Sequence, residues 1–369
     1  MAKICILYFG KNGAGNIFAY QMAKSFLHQD HYVDLYISTL IENLDRFNEL
    51  EILFEKCTIY RQYTYKNKVE FLINTLKIFN FYNIGKTINK ENYDFIYIPM
   101  MTIWGSILSY FIDTKRIKTI TTIHDVTRHL GEKNRFVDNI NNHLIKHSTK
   151  VITLSERFIP QIEQIYGIKN ENIVWVKHAN FNYYKPDSYI LKKEITKKIL
   201  FFGRISKYKG IDVLLDAMKI LKTKNSSILL NIVGNGQFDK YELKLIEELK
   251  DTVSVTNRWI KDEEIHEFFK DIDLVVVPYI EASQSGVIMT AYTFGKPVIV
   301  TDVGALSEQV NENSGIVIEP NNPKLLAETI EILYKEPDNI IQMGNYCYDL
   351  AQTEYSWDVS ATEIMKNCL

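Results

Sequence analysis

Arg204 and Lys209 stand five residues apart in the stretch FFGRISKYKG, residues 201–210. A guanidinium and an ammonium so spaced on one loop can both reach a diphosphate, the first as a two-pronged fork and the second as a point charge. The plainer alternative is ordinary solvated charge. Residues 273–308, DLVVVPYIEASQSGVIMTAYTFGKPVIVTDVGALSE, hold a second set of groups. The apolar run 274–277, closed by Pro278, reads as a fully buried strand. Glu281 is a carboxylate in the loop after it, and Ser285-Gly286-Val287 opens a helix to about 294 that Gly295-Lys296-Pro297 stops. A helix start offers unpaired N–H groups and the positive end of its dipole, which is a site for phosphate. Gly286, without a Cβ, lets the backbone come close to an anion; Ser285 as a simple N-cap is the alternative.

Two further turns end strands of the same region. Strand 228–233 ends in Gly234-Asn235-Gly236, strand 253–256 ends near Arg258-Trp259-Ile260, and Gly203 precedes Arg204. Two basic side chains, a glycine loop and an anion-binding helix start, all at the carboxyl ends of one sheet, fit a nucleoside diphosphate whose charge is met by protein groups. No Asp-x-Asp motif for a catalytic cation stands where it would be needed, since Asp271-Ile272-Asp273 precedes its strand. Neither a metal nor a cofactor is therefore expected.

The elements that must position these groups alternate strand and helix twice over, which is α/β architecture. Strand 3–9, the turn 10–16 with Gly13 and Gly15, helix 17–28 and strand 32–37 open the chain as a βαβ unit. The turn departs from the dinucleotide fingerprint, because Phe18 falls where the third glycine belongs. It reads as a close-approach loop at a strand's carboxyl end. Strand 93–99, helix 103–112 and strand 119–123 follow, the last ending in His124-Asp125. That pair could orient a substrate hydroxyl or stabilise charge, or be structural. Strand 151–154, a helix from Ser155-Glu156 and strand 173–176, leading to His178, close the first half.

Residues 183–198, polar, charged and carrying Pro186, mark a change of composition. The domains are accordingly placed at 1–184 and 199–350, with a linker at 185–198 and a final segment 351–369. The second half reads as strand 199–202, helix 211–221, strand 228–233, helix 241–249, strand 253–256, helix 262–270, the 273–308 unit, and helices 323–333, 340–351 and 357–368. Residues 66–90 mix Leu, Ile and Phe at helical spacing with five lysines. Either they form a core-facing helix with a solvated lysine side, or a basic amphipathic face rests on anionic lipid.

The 369 residues, 46% hydrophobic and 24% charged, suffice for two domains with their own cores. A formal net charge of −2 gives no whole-chain argument for nucleic acid. Cys5, Cys57, Cys347 and Cys368 lack CxxC spacing, so neither a disulfide framework nor a zinc site is indicated, and a reducing compartment is expected. No secretory h-region with a cleavage site is visible, and the apolar run 96–112 is too short to span a bilayer. The expectation is a soluble cytoplasmic chain, at the inner face of the plasma membrane if residues 66–90 rest on lipid.

The stretches FFGRISKYKGIDVLLDAM, IVGNGQF and VVVPYIEASQSGVIMTAYTFGKPVIVTDVGALSEQV resemble the carboxyl-terminal domain of the retaining glycosyltransferases of family 4, of GT-B fold. The likeness covers most of residues 199–335 and extends more loosely to the first half through the glycine turn, TIHD and TLSE; the QSGV pattern resembles the surface-polysaccharide branch. It implies two Rossmann-like domains facing a central cleft, with a last helix, after Tyr355-Ser356-Trp357-Asp358, crossing back to the first domain. It implies a nucleotide-sugar donor and a glycan acceptor, lipid-linked, with configuration retained and no metal. Arg204 and Lys209 would then bind the donor diphosphate, with Ser285, Gly286 and Val287 holding it through backbone amides. Glu281 would meet the sugar's hydroxyls, His124 would sit beside that sugar, and residues 258–260 would lie against the base. The family's second glutamate is missing: Met289 stands in its place. That departure leaves open a non-catalytic subunit supporting a partner transferase, and the shared architecture leaves open a sugar-nucleotide epimerase.

Overall fold

The computed structural model describes residues 1–126, 135–191 and 194–369. Lys192 and Lys193 of the expected linker lie outside them. The chain divides into two compact units, one of Met1–Lys177 with Trp357–Leu369 and the other of His178–Ser356. Residues 178–191 and 194–198 thus pack with the second unit, not as the end of the first or as a separate linker.

The first unit runs β1 (Lys3–Tyr8), α1 (Ala14–His28), β2 (Tyr32–Ser38), α2 (Leu44–Leu53), β3 (Cys57–Gln62), α3 (Lys68–Leu76), α4 (Ile78–Lys90) and β4 (Phe95–Ile98). It continues with α5 (Ile103–Leu108), β5 (Lys118–Ile123), α6 (Arg135–His147), β6 (Lys150–Thr153), α7 (Ile159–Tyr166) and β7 (Ile173–Trp175). The seven strands pair in parallel in the order β3-β2-β1-β4-β5-β6-β7. Such a sheet is covered on both faces, so its central strands are continuous apolar runs, and every residue of β4 is buried.

The second unit runs β8 (Lys198–Phe202), α8 (Ile211–Thr223), β9 (Leu229–Gly234), α9 (Lys240–Glu248), β10 (Val253–Asn257), α10 (Ile265–Lys270) and β11 (Leu274–Val277). Then come α11 (Gly286–Thr293), β12 (Val298–Thr301), β13 (Gly315–Ile318), α12 (Pro323–Lys335) and α13 (Pro337–Gln352). Its six parallel strands lie in the order β10-β9-β8-β11-β12-β13. In both units the first strand lies between the second and the fourth. The order therefore reverses beside β1 and beside β8, and ligands bind open α/β sheets at the carboxyl ends of such strands. The last helix, α14 (Trp357–Cys368), belongs to the first unit. The Trp357 ring meets Phe18 of α1 edge-on at 4.8 Å, and the Gln29 amide donates to the Asp358 carbonyl at 2.9 Å. The chain is thus an α/β protein of two Rossmann-like units whose final helix returns to the first.

Several elements differ from the sequence expectation. Helix α1 starts at Ala14, not 17, because Gly13 turns the chain at positive φ (+86°) and the Asn16 amide donates to the Lys11 carbonyl at 2.8 Å. Residues 66–90 are two helices broken at Lys77, and α3 buries none of its residues. The core-facing alternative holds for α3 on one side only: Phe71 packs half-buried against the core, while Val69, Leu72, Ile73 and Leu76 are exposed. The four cysteines are free and buried. No helix of the described residues is long and apolar enough to cross a membrane.

Candidate functional site

The loop from β8 to α8 carries Arg204 and Lys209. Residues 207–209 make a tight 3-10 turn, and Gly210 ends it left-handed at φ +64°. A Cβ on Gly210 would overlap the Pro278 carbonyl oxygen at the end of β11, so only glycine fits there. The Tyr208 carbonyl accepts the Ile280 N–H at 2.8 Å and the Glu281 N–H at 3.4 Å. The basic loop and the Glu281 loop, distant in sequence, are therefore tied backbone to backbone.

The Lys209 ammonium lies 3.5 Å from the centroid of the Tyr279 ring and 5.0 Å from that of Tyr208. Ring faces are negative, so the two phenols attract the cation between the loops. Burial pushes the Tyr279 hydroxyl up to about 12, so it stays a neutral phenol. The Ser285 hydroxyl donates to it at 3.4 Å.

Ser285 caps α11 by accepting the Val287 N–H at 3.3 Å. The Gln309 side chain brackets Ser285, accepting its N–H at 2.9 Å and donating to its carbonyl at 3.3 Å. Two of the three amides expected to hold an anion are thus used by the protein itself. The Gly286 N–H, among the described residues, is the one that no protein group takes up. A Cβ on Gly286 would come 3.2 Å from the Phe181 ring. Its missing side chain makes room for Phe181.

The glycine turns prove to be structural close approaches. A Cβ on Gly234 would overlap the Gly203 carbonyl, and one on Gly236 would overlap the Ile205 carbonyl. The Ile205 N–H donates to the Asn235 carbonyl at 3.0 Å, and the Asn257 carboxamide holds both the N–H (3.2 Å) and the carbonyl (3.1 Å) of Gly236. These groups knit two loops together. Asn235 itself is exposed. Arg258 forms a two-pronged pair with Glu264 at 2.7 and 2.9 Å, which holds the Glu264 carboxyl down at about 2. Trp259 beside it is exposed, while Ile260 is buried. Of that segment, the indole is the face a flat group could meet.

Met289, where the family pattern has a glutamate, is fully buried, and its apolar side chain carries no carboxylate to meet a ligand. Tyr279 and Gln309 were missed in the sequence. Tyr279 stands next to Pro278, but nothing in its neighbours indicates that it lies beneath Lys209. Gln309 gave no signal, because its role arises only from the fold.

The remaining candidates gather at the reversal point of the first sheet. Gly13 opens α1 with nothing near the position of its absent Cβ, whereas a Cβ on Gly15 would overlap the Tyr8 hydroxyl and meet the Met100 sulfur at 2.8 Å. His124, after β5, bonds through Nε2 to the Pro99 carbonyl at 2.8 Å and meets Phe18 edge-on at 4.6 Å. A carbonyl only accepts, so Nε2 carries the proton. Burial holds the imidazole below its ordinary value and hence neutral near pH 7, which leaves Nδ1 as an acceptor. The structure thus brings Arg204, Lys209, Glu281 and the start of α11 together in one unit, and Gly13, Gly15 and His124 in the other.

Residues 13–179 match the family model "Glycosyltransferase Family 4", and residues 188–349 match "Glycosyl transferases group 1". An uncharacterized glycosyltransferase of Methanocaldococcus jannaschii is 25% identical over 342 residues, 89% of this chain and 93% of that protein. The lipopolysaccharide 1,2-N-acetylglucosaminetransferase of Salmonella typhimurium is 30% identical over 183 residues, 46% of this chain and 48% of that enzyme. The chain spans about half the length, or less, of the first curated relatives it matches. Among solved structures, that of Anabaena HepE in complex with UDP and glucose shares the fold at a TM-score of 0.70 and 17% identity, covering 99% of both chains. With one family model on each unit and most of the chain matched between them, the chain belongs to the glycosyltransferases of the family 4 type, with the GT-B fold.

Proposed function

We propose that this chain transfers a sugar from a nucleoside diphosphate donor to a hydroxyl of a glycan acceptor, lipid-linked, with retention of configuration. The observation that carries the reading is the tie between the basic loop and the Glu281 loop at the point where the second sheet reverses. It joins the loop that carries Arg204 and Lys209 to the loop that carries Glu281 and leads into α11, which supports the reading. There the two cations and the Gly286 N–H offset the charge of a diphosphate. Glu281 accepts hydrogen bonds from sugar hydroxyls, and Trp259 offers its exposed face to the base.

In the transfer, the bond from the sugar's anomeric carbon to the phosphate oxygen breaks, and its electron pair leaves with the phosphate. The acceptor oxygen bonds to the same carbon on the same face. Its proton passes to the departing phosphate oxygen, so no protein nucleophile is used. Protein groups stabilise the charge that develops, and such stabilisation usually lowers the barrier more than any other single effect. His124, neutral, serves as an acceptor for a hydroxyl and not as an acid. Uridine is the first base to test, since HepE was solved with UDP and glucose; the Salmonella relative is named for building lipopolysaccharide.

The test is thermal unfolding of the purified chain with UDP, GDP, ADP, TDP or CMP, each with Mg²⁺ and with EDTA. A ligand that binds only the folded state raises the midpoint. One nucleoside diphosphate should do so, equally with EDTA. No shift with any of them would overturn the proposal.

A further inference from the structure

Helices α3 and α4 turn a row of large apolar side chains away from the core. Val69, Leu72, Ile73 and Leu76 recur at the three- and four-residue spacing of one helix face, and all are exposed, Leu76 by 78%. The other side of α3 is the one that docks. Phe71 meets Tyr65 edge-on at 4.8 Å, the Asn74 amide donates to the Thr64 carbonyl at 2.7 Å, and the Trp104 indole N–H donates to the Thr75 hydroxyl at 3.0 Å. In α4, Phe81, Gly85 and Ile88 are buried, and a Cβ on Gly85 would strike Phe111 at 2.6 Å. Phe79 (74% exposed), Tyr82, Lys86 and Lys90 follow one another along the opposite face.

Charge follows the same surface. Lys66, Lys68, Lys77, Lys86 and Lys90 are all exposed, against a single acidic residue, Glu70, in a chain of net charge −2. Lys68 lies four residues before Leu72 and Lys77 four after Ile73, so basic groups edge the apolar row on α3, as Lys86 and Lys90 extend it on α4. A soluble surface gains nothing from seven exposed apolar side chains within 14 residues, from Val69 to Tyr82.

We propose that α3 and α4 dock this chain on an anionic lipid surface. The apolar row enters the boundary between headgroups and acyl chains, and the lysines lie at the level of the lipid phosphates. The two helices lie on the surface; neither spans it. A second copy of this chain is a poorer occupant, because like lysine edges would face each other. The inference stands on these helices alone and does not depend on the sugar-transfer reading.

The test is co-sedimentation of the full chain with vesicles of phosphatidylcholine alone and of an equal mixture with phosphatidylglycerol. Binding to the mixed vesicles should be at least about tenfold stronger and should weaken with salt. Replacing Leu72, Leu76 and Phe79 with Gln should lower it at least about tenfold. Replacing Lys68, Lys77, Lys86 and Lys90 with Gln should remove the preference for anionic lipid. Both variants should keep the wild-type thermal midpoint, since all seven side chains are exposed. No binding, equal binding to both vesicles, or binding that survives either set of substitutions would overturn the proposal. So would a dimer, with no vesicle binding, that the Leu72, Leu76 and Phe79 variant dissociates.

Discussion

The two units repeat one backbone device at the point where each sheet reverses, and they use it for different ends. In each, a glycine at positive φ opens the helix after the first strand, Gly13 before α1 and Gly210 before α8, with no side-chain cap. In each, a hydroxyl caps the helix after the fourth strand: Thr102 accepts the Gly105 N–H, and Ser285 the Val287 N–H. The charge differs. The second unit places Arg204 and Lys209 on this device, with Lys209 over the Tyr279 ring. The first has Lys11, whose ammonium donates to the Tyr65 carbonyl at 2.9 Å and lies 4.2 Å over that ring. Repetition of a fold does not repeat its chemistry; side chains added to the same turns decide which unit can meet an anion.

The fit of the glycines separates the units most strongly. Gly210→Ala adds a Cβ that overlaps a backbone carbonyl in a left-handed turn and should cost about 3 kcal/mol or more. Gly13→Ala, with open space around it, should cost only the strain of its turn, about 1–3 kcal/mol. Urea unfolding of the two variants measures the gap, and equal costs would mean that Gly210 is not pressed on Pro278. Next in size is the ring under the cation. Tyr279→Leu removes a cation–π contact worth roughly 0.5–2 kcal/mol, so donor KM should rise about twofold to thirtyfold. Tyr279→Phe keeps the ring and should leave KM near wild type. A loss in Phe equal to that in Leu would assign the effect to the hydroxyl and its bond with Ser285. The smallest effect belongs to the first unit: Lys11→Ala should change donor KM by less than about twofold. A larger rise would show that both units meet the donor's charge.

Buried parallel strands stood out in the sequence, because continuous apolar runs such as LVVV in β11 have few other readings. The edge strand β3 did not. Its exposed Thr58, Tyr60 and Arg61 break the apolar run, and α2 before it buries only Phe47 and Leu50. β13 and α6 were missed in the same way, as short or mostly polar segments. The loops that carry the candidate residues were readable at strand ends: Arg204, Lys209, Glu281 and Ser285 all lie on the loops expected for them. What could not be read were interactions across sequence distance. Spacing cannot show that Gln309 brackets Ser285 or that Asn257 holds Gly236. Nor can it show that a Cβ on Gly234 or Gly236 would overlap the backbone of the neighbouring loop. Exposure was equally hidden in α3, where helical periodicity gives an apolar face but not the direction in which it points.

Isothermal titration of the wild-type chain and of Lys209→Ala, with the nucleoside diphosphate that stabilises the protein and with EDTA present, addresses the central claim. That claim is that the loop tied to β11 holds the donor's phosphates. Removing one charge-assisted contact costs roughly 1.5–3 kcal/mol, so Lys209→Ala should bind about ten- to a hundredfold more weakly while unfolding at the wild-type midpoint. Equal affinity in the two proteins would contradict the account and place the phosphates elsewhere.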